Sequence, residues 1–254
     1  MKEYTAIQYV ELFHLLFLDQ LGRKLDKRFY VLKGGCNLRL YLKSFRYSED
    51  ADLDVAQTFP KEKLQDRVVS ILDSIPFRQI LQFHGIGIDR WTDPKQTETT
   101  QRWKMMLAVS RSDLRLPTKI EFSRRGMESD TVFEPVDSKL VKEYQLSPIM
   151  LNHYGAHTAY EQKLEALITR RTTQARDIFD LNILLNTGID KSVSNHNLKN
   201  RLHEAQANAF SITFDVFKAQ VLSYLHPEYR EQYDSQSVWE SIVLNVVEAI
   251  GEAG

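Results

Sequence analysis

Between Lys33 and Val55 the chain sets a paired-glycine turn, Gly34-Gly35, about one short helix ahead of the run Asp50-Ala51-Asp52-Leu53-Asp54-Val55. Strict alternation of acid and apolar residues marks a half-buried strand, because successive side chains point to opposite faces. Ala51, Leu53 and Val55 then turn into a core, and Asp50, Asp52 and Asp54 present their carboxylates together on the other side. Three like charges on one face repel, and a hard divalent cation such as Mg²⁺ is the usual physical remedy. Upstream, Phe29-Tyr30-Val31-Leu32 leads into the glycines as a short strand or the end of a helix. Leu38, Leu40, Tyr41 and Leu42 fit a turn and a half of helix after them. A glycine turn lets backbone N–H groups come close to a phosphate. Phosphate cradle and carboxylates together are the minimum equipment for metal-assisted phosphoryl or nucleotidyl transfer. Singly, an acidic cluster is more often a solvated turn and a Gly-Gly pair a bend, so the weight rests on their combination.

Gly34-Gly35 followed by Asn37-Leu38-Arg39-Leu40, and then Arg46-Tyr47-Ser48-Glu49-Asp50-Ala51-Asp52, resembles the first motif of the AbiEii/AbiGii-type nucleotidyltransferases. These are toxin-like members of the DNA polymerase β superfamily. A second block is similar to the family's downstream pattern of a Lys-bearing helix followed by Arg-Asp-x-x-Asp-Leu. It comprises Glu161-Gln162-Lys163-Leu164-Glu165-Ala166-Leu167, Arg170-Arg171 and Ala175-Arg176-Asp177-Ile178-Phe179-Asp180-Leu181. The resemblance implies that Asp50 and Asp52 hold Mg²⁺ and that Lys33, Gly34, Gly35, Ser48, Lys163 and Arg176 contact the nucleotide. It further implies Lys163 as the phosphate-contacting lysine and Asp177 or Asp180 as the later essential acid. A third catalytic and metal-binding acid should come from a neighbouring strand. Glu121, between Ile120 and Phe122 that point into the core, is the candidate. Two features depart from the pattern. Cys36 stands where a small hydroxyl residue is usual, and Asp54 leaves the register open between Asp50/Asp52 and Asp52/Asp54.

The activity implied is Mg²⁺-dependent transfer of NMP from an NTP to an acceptor hydroxyl, in some members the 3′ end of tRNA, with a separate antitoxin protein as partner. A small-molecule acceptor is the enzymatic alternative. A non-catalytic nucleotide-binding or interaction module that keeps the fold is the other.

Several side chains carry more local expectations. Lys119 shares a strand face with Glu121 and is its expected charge partner, while Arg176 and Asp180 stand four apart on one helical face and could pair. Lys163 reads as exposed, so its replacement by alanine should be nearly neutral for stability. Arg124-Arg125 reads either as the rim of the Glu121 site, where the pair could steer a phosphate-rich acceptor, or as a plain exposed basic turn. His153 and His157 have a spacing that could serve zinc, but Gly155 lies between them and no acid follows the first histidine, which disfavours it.

At 254 residues the chain suffices for one large domain or two small ones with a sizeable core. A formal net charge of −1 offers no global attraction to nucleic acid, so any such binding must use local basic patches. One cysteine excludes an intrachain disulfide framework. No apolar run reaches membrane-spanning length and Met-Lys-Glu-Tyr does not open a secretory signal, so the expected compartment is the cytoplasm.

Periodicity splits the chain near residue 150. Residues 1–150 read as an α+β nucleotidyltransferase domain, by the resemblance a minimal mixed sheet with flanking helices. Its helices are expected over Thr5–Leu25 and Lys61–Ile75, and its later strands around Ile80–Ile88, Gln101–Ser110 and Thr118–Phe122. Ser129–Gly155 reads as a less regular connector. Residues 151–254 read as all helical, in Tyr160–Thr169, Arg176–Leu185, Asn197–Gln206, Ser211–Ser223 and Ser237–Ile250. This helical domain is expected to pack over the active-site cleft and bring Lys163 toward the glycine turn.

Overall fold

The computed structural model describes residues 3–253. Met1, Lys2 and Gly254 lie outside them, and with them the start of the Met-Lys-Glu-Tyr opening and the outer ends of the two expected domains. The chain forms two compact units. One runs up to Tyr41 and from Tyr47 to Tyr154; the other comprises Leu42–Arg46 and everything from Gly155 onward. No helix among the described residues is long and apolar enough to cross a membrane.

The first unit is built on helix α1 (Ala6–Lys24), strand β1 (Tyr30–Lys33), α2 (Gly34–Leu40), β2 (Asp50–Val55), α3 (Lys61–Leu72) and α4 (Ile75–Phe83). These are followed by β3 (Ile86–Gln96), β4 (Thr100–Val109), β5 (Arg115–Ser123), β6 (Thr131–Pro135), α5 (Ser138–Glu143) and β7 (Met150–Tyr154). Its seven strands form one mixed sheet in the order β3-β4-β5-β2-β1-β7-β6. β2 runs parallel to β5 and β1 parallel to β7; the other neighbours are antiparallel. Alternation along the strands does what the sequence pattern requires. Ala51, Leu53, Val55, Ile120, Phe122, Trp103, Met105 and Leu107 are buried in one core with Phe13, Leu16, Phe17, Leu64, Val68 and Phe77 of the helices. The opposite face carries the acids.

Helix α1 begins at a capping box, with Thr5 and Gln8 satisfying each other's backbone N–H groups. Residues 80–83, expected as the start of a strand, are instead the end of α4. Ser74 caps that helix by accepting from the Phe77 N–H, Pro76 sits in its first turn, and Gly85 (φ +77) turns the chain into β3. β3 extends through Pro94, which an edge strand tolerates where the register shifts between Thr92 and Lys95. The segment Ser129–Gly155, expected as a connector, contains β6, α5 and β7. β6 is exposed throughout, so it lacks the buried alternation that would reveal a strand.

The second unit is helical: α6 (Ala156–Thr169), α7 (Ala175–Leu185), α8 (His196–Lys199), α9 (Leu202–Phe210), α10 (Phe214–Gln220), α11 (Pro227–Tyr233) and α12 (Gln236–Glu252). α6 packs on α7 and α9, and α12 on the same two helices. Trp239 stacks on Phe217 with ring centroids 4.6 Å apart and donates its indole N–H to the Ile212 carbonyl. α11 was not expected, and the span Asn197–Gln206 is broken into α8 and α9.

Candidate active site

The acid-bearing face is assembled by strand register. Across β1, β2, β5, β4 and β3, one row of opposed residues reads Lys33, Asp52, Glu121, Arg102 and Lys95. The next row reads Asp50, Lys119, Lys104 and Thr92. Asp52 and Glu121 are therefore directly opposed on neighbouring strands, with Asp50 one step along.

Each carboxylate has a distinct environment. Asp54 is nearly buried and both its oxygens are engaged, Oδ1 by the Lys33 ammonium and Oδ2 by the Tyr154 hydroxyl at 2.9 Å. Asp50 pairs with Lys119, Oδ2 to Nζ 3.1 Å. Burial raises the Asp50 carboxyl above the usual range; Lys119 opposes the rise and the neighbouring Asp52 charge adds to it. Glu121 pairs with Arg102 on β4. This corrects the expected Lys119–Glu121 pair: the parallel β2/β5 register sets Lys119 opposite Asp50 and leaves Glu121 to the antiparallel neighbour.

Asp52 is half-exposed, and among the described residues it has no ion pair or side-chain hydrogen bond. Its carboxylate lies against the glycine turn. A Cβ on Gly34 would meet Asp52 Oδ2 at 3.1 Å, and Gly34 holds φ +67, so both space and backbone conformation call for glycine there. Gly34, Gly35 and Lys33 thus belong to the same locus as the acids.

The start of β2 is held from beneath. Ser48 Oγ donates to the Asp50 carbonyl (2.8 Å), and so does the Cys36 thiol (3.1 Å). Thr118 Oγ1 donates to the Glu49 carbonyl (2.8 Å) and lies 2.7 Å from His14 Nε2. Burial lowers the His14 pKa to about 3, so the ring is neutral and donates its Nε2 proton to Thr118. Burial also raises the Cys36 thiol, which acts as a packed donor rather than a reactive group.

Among the described residues, no three His, Cys, Asp or Glu side chains converge closely enough to hold a metal ion. The chemistry of the donor set nevertheless fits a hard cation. All donors are carboxylate oxygens, and protein cations already sit on Asp50, Asp54 and Glu121 where a metal ion would neutralise charge. Arg124 is a structural residue and not part of a rim. It is buried, donating to the Phe59 carbonyl (2.7 Å) and facing Gln101 Oε1 (3.3 Å), while Arg125 is exposed. His153 on β7 lies 2.9 Å from Asn37 Oδ1 and 3.1 Å from Glu134 Oε1. His157 on α6 instead faces the Ser192 carbonyl, so the two do not share a helical face.

The residues of the second motif meet inside the helical unit. Lys163 is buried, its ammonium 3.1 Å from Asp177 Oδ1 and 2.7 Å from Asp180 Oδ2. Its expected exposure, and with it a neutral alanine substitution, is therefore overturned. Asp180 also receives a bidentate pair from Arg46, at 2.9 and 2.8 Å. Burial disfavours its charge, but Arg46 and Lys163 outweigh that and lower its pKa to about 2. Arg170 Nε stands 2.7 Å from Asp177 Oδ2, an ion pair without hydrogen-bond alignment. Arg176 is half-exposed on α7. Sequence reasoning missed Arg46, Arg102 and Tyr154 as partners of these acids, since only tertiary register brings them in.

Two solved structures share this fold. One is JHP933 from Helicobacter pylori, 19% identical over 99% of this chain and 96% of that one, with a TM-score of 0.61. The other is a candidate nucleotidyltransferase from H. pylori, 19% identical over 100% of this chain and 99% of that one, with a TM-score of 0.62. No curated protein matches the sequence significantly. The family model for the nucleotidyl transferase AbiEii toxin of type IV toxin–antitoxin systems matches residues 16–234, so the paired-glycine turn, the acid face and the Lys163 cluster all fall within it. This chain belongs to that AbiEii family of nucleotidyltransferases.

Proposed function

We propose that the protein is a Mg²⁺-dependent nucleotidyltransferase that moves NMP from an NTP to an acceptor hydroxyl, with the 3′ end of a tRNA as the leading acceptor. The observation that carries this reading is Asp52, a carboxylate without a partner among the described residues and packed against a glycine of positive φ, on one face with Asp50 and Glu121. Asp50, Asp52 and Glu121 are the residues to hold the metal. Mg²⁺ bound there would neutralise triphosphate charge and lower the pKa of the attacking hydroxyl. Asp54 is already engaged on both oxygens, which favours the Asp50/Asp52 pair over Asp52/Asp54.

The Gly34-Gly35 turn offers backbone N–H groups to the triphosphate, and Lys33 adds a cation beside it. Glu121 serves as metal ligand or takes the proton of the attacking hydroxyl. Ser48 contributes by fixing the Asp50 backbone. Lys163, with two of its three N–H groups anchored on Asp177 and Asp180, keeps the third for a phosphate oxygen, with Arg176 assisting. Toxin–antitoxin membership supports a cognate antitoxin protein as partner, and a single cysteine fits the reducing cytoplasm as the setting.

The test is incorporation of labelled NTP into RNA and protein by wild type and by Asp50→Ala/Asp52→Ala, with and without a chelator. Label should enter RNA only with wild type and Mg²⁺. Label in protein or a small molecule would change the acceptor, and label transferred by the double variant would end the reading.

A further inference from the structure

On the acid-bearing face, a groove of about 540 Å³ opens directly beside Asp50, floored by strands β3, β4 and β5. Its outward side chains are Arg90, Thr92, Lys104, Met106, Pro117 and Lys119. Sheet order places it on one side of the acid row and the Gly34-Gly35 turn on the other, since β5, β4 and β3 flank β2 opposite to β1. That arrangement has a consequence for in-line transfer. The attacking oxygen and the departing pyrophosphate must lie on opposite sides of the α-phosphorus. A triphosphate lodged at the glycine turn therefore leaves the groove as the side from which the acceptor approaches.

The groove's charges say what kind of acceptor suits it. Arg90 and Lys104 are exposed, and neither has an ion-pair or hydrogen-bond partner for its side chain among the described residues. Their positions are diagonal neighbours on adjacent antiparallel strands, because Arg90 opposes Met106 and Lys104 opposes Thr92. Diagonal neighbours stand about 7–8 Å apart, close to the step between successive phosphates of an extended strand. A neutral small acceptor would give these two cations nothing to bind, whereas a phosphodiester backbone would. Met106 and Pro117 between them supply an apolar floor for a sugar or base edge.

We propose that this groove seats a single-stranded nucleic-acid end, with Arg90 and Lys104 on its backbone phosphates and its terminal hydroxyl at Asp50. This rests on the nucleotidyltransferase reading. In the step it serves, a bond forms between the terminal oxygen and the α-phosphorus as the bond to the bridging oxygen of pyrophosphate breaks. Pyrophosphate leaves with that electron pair, and the hydroxyl proton passes to Glu121 or solvent.

Fluorescence anisotropy of labelled single-stranded RNA and DNA oligonucleotides with free 3′ hydroxyls tests the groove in the full chain. The variants are Arg90→Ala/Lys104→Ala and, as control, Lys63→Ala/Arg67→Ala, which removes equal charge from helix α3 on the opposite face. The groove variant should lose affinity about tenfold or more at low salt. Its log–log salt dependence should flatten by about 1.4, from two lost phosphate contacts on a single strand. RNA bound more tightly than DNA would assign the acceptor to RNA, and the reverse to DNA. Equal loss in both variants, no loss in the groove variant, or no oligonucleotide binding by wild type would each overturn the proposal. Calorimetric titration with NTP and Mg²⁺ separates the two readings. NTP binding with oligonucleotide affinity unchanged in the groove variant sinks the groove alone. Absent NTP binding with groove-dependent oligonucleotide binding sinks the transferase reading and with it the acceptor role, leaving the groove a nucleic-acid site.

Discussion

The acid face of the sheet and the Lys163 cluster of the helical unit are both charge networks, yet they are built in opposite ways. On the sheet, the four carboxylates of Asp50, Asp52, Asp54 and Glu121 meet three cations, Lys33, Lys119 and Arg102. Negative charge is left over on Asp52, and most of these groups are partly exposed. Among the helices, Asp177 and Asp180 have no exposed surface and meet three cations, Lys163, Arg46 and Arg170. The surplus there is positive. Half-exposed pairs exchange partners at little cost, whereas breaking a buried pair strands a desolvated charge. The first network is therefore suited to receiving a cation. The second is suited to holding one lysine rigidly, with charge to spare for an anion.

The largest effect expected from that contrast is catalytic. Asp50→Asn or Asp52→Asn should reduce transfer on the order of 10³-fold or more, since metal-assisted charge stabilisation is worth several kcal/mol. Thermal stability in metal-free buffer should hold or rise slightly. Asp50 is raised by burial and by Asp52, so its ionised form costs stability at neutral pH that the amide does not. Labelled-NTP transfer and a melting curve on the same preparation check both halves. A fully active Asp50→Asn protein would move the metal pair to Asp52/Asp54.

In the helical unit the order of effects should reverse. Lys163→Ala leaves two buried carboxylates short of a partner and should cost about 3–5 kcal/mol of stability, measured by urea unfolding. Any folded protein should also bind NTP and Mg²⁺ more weakly by about 1.5–3 kcal/mol. A stable variant with unchanged NTP affinity would mean that Lys163 neither holds the buried aspartates nor meets a phosphate, and would erase the contrast.

Much of this was legible in the sequence, and what was not has physical causes. Alternation placed Ala51, Leu53 and Val55 in the core and put the acids on the other face, because period two is a local property of a strand. Register is not local. Lys119 lies two residues from Glu121, yet it faces Asp50, because β2 pairs parallel with β5, a strand far along the chain. Arg46 precedes Asp50 by four residues, but its guanidinium joins Asp180. The exposure of Lys163 was misjudged because α7 buries two aspartates, and no hydrophobic periodicity announces buried charge. α4 was misread although Ser74 and Pro76 marked a helix start, since Ile80 and Leu81 run on toward the Gly-flanked apolar residues of β3.

Acid titration should separate the two regions by window. His14 is neutral in the fold, with a pKa of about 3 against about 6.5 unfolded, so the unfolded chain binds the extra proton between those values. Stability contributed through His14 is then present above about pH 6.5 and drains away as the pH falls toward 3. Asp180 has its pKa lowered to about 2, so its contribution is intact above about pH 4 and is lost only as the pH falls through 2. His14→Gln should flatten the slope of unfolding free energy between pH 6 and 4 by up to about 1.4 kcal/mol per pH unit. Asp180→Asn should leave that slope as it is. Identical slopes in wild type and His14→Gln would mean that the buried ring is protonated in the fold.

The smallest effect is the most pointed test of the acid face. Arg102 and Glu121 form a partly exposed pair, with side-chain exposures of 30% and 23%, so Arg102→Ala should change stability by less than about 1 kcal/mol. Its effect on metal binding should have the opposite sign to that of an ordinary structural residue. If Arg102 stands in for a cation on Glu121, removing it frees a carboxylate and raises the negative charge of the face. Mg²⁺ or Mn²⁺ should then bind more tightly by up to about fivefold, the equivalent of a partly exposed pair of about 1 kcal/mol. Lys119→Ala should act in the same direction through Asp50. Calorimetric metal titration of the two variants without nucleotide reads this directly. Weaker binding in both would mean that the cations orient the carboxylates rather than compete for them, and the acid face would then be as fixed as the Lys163 cluster.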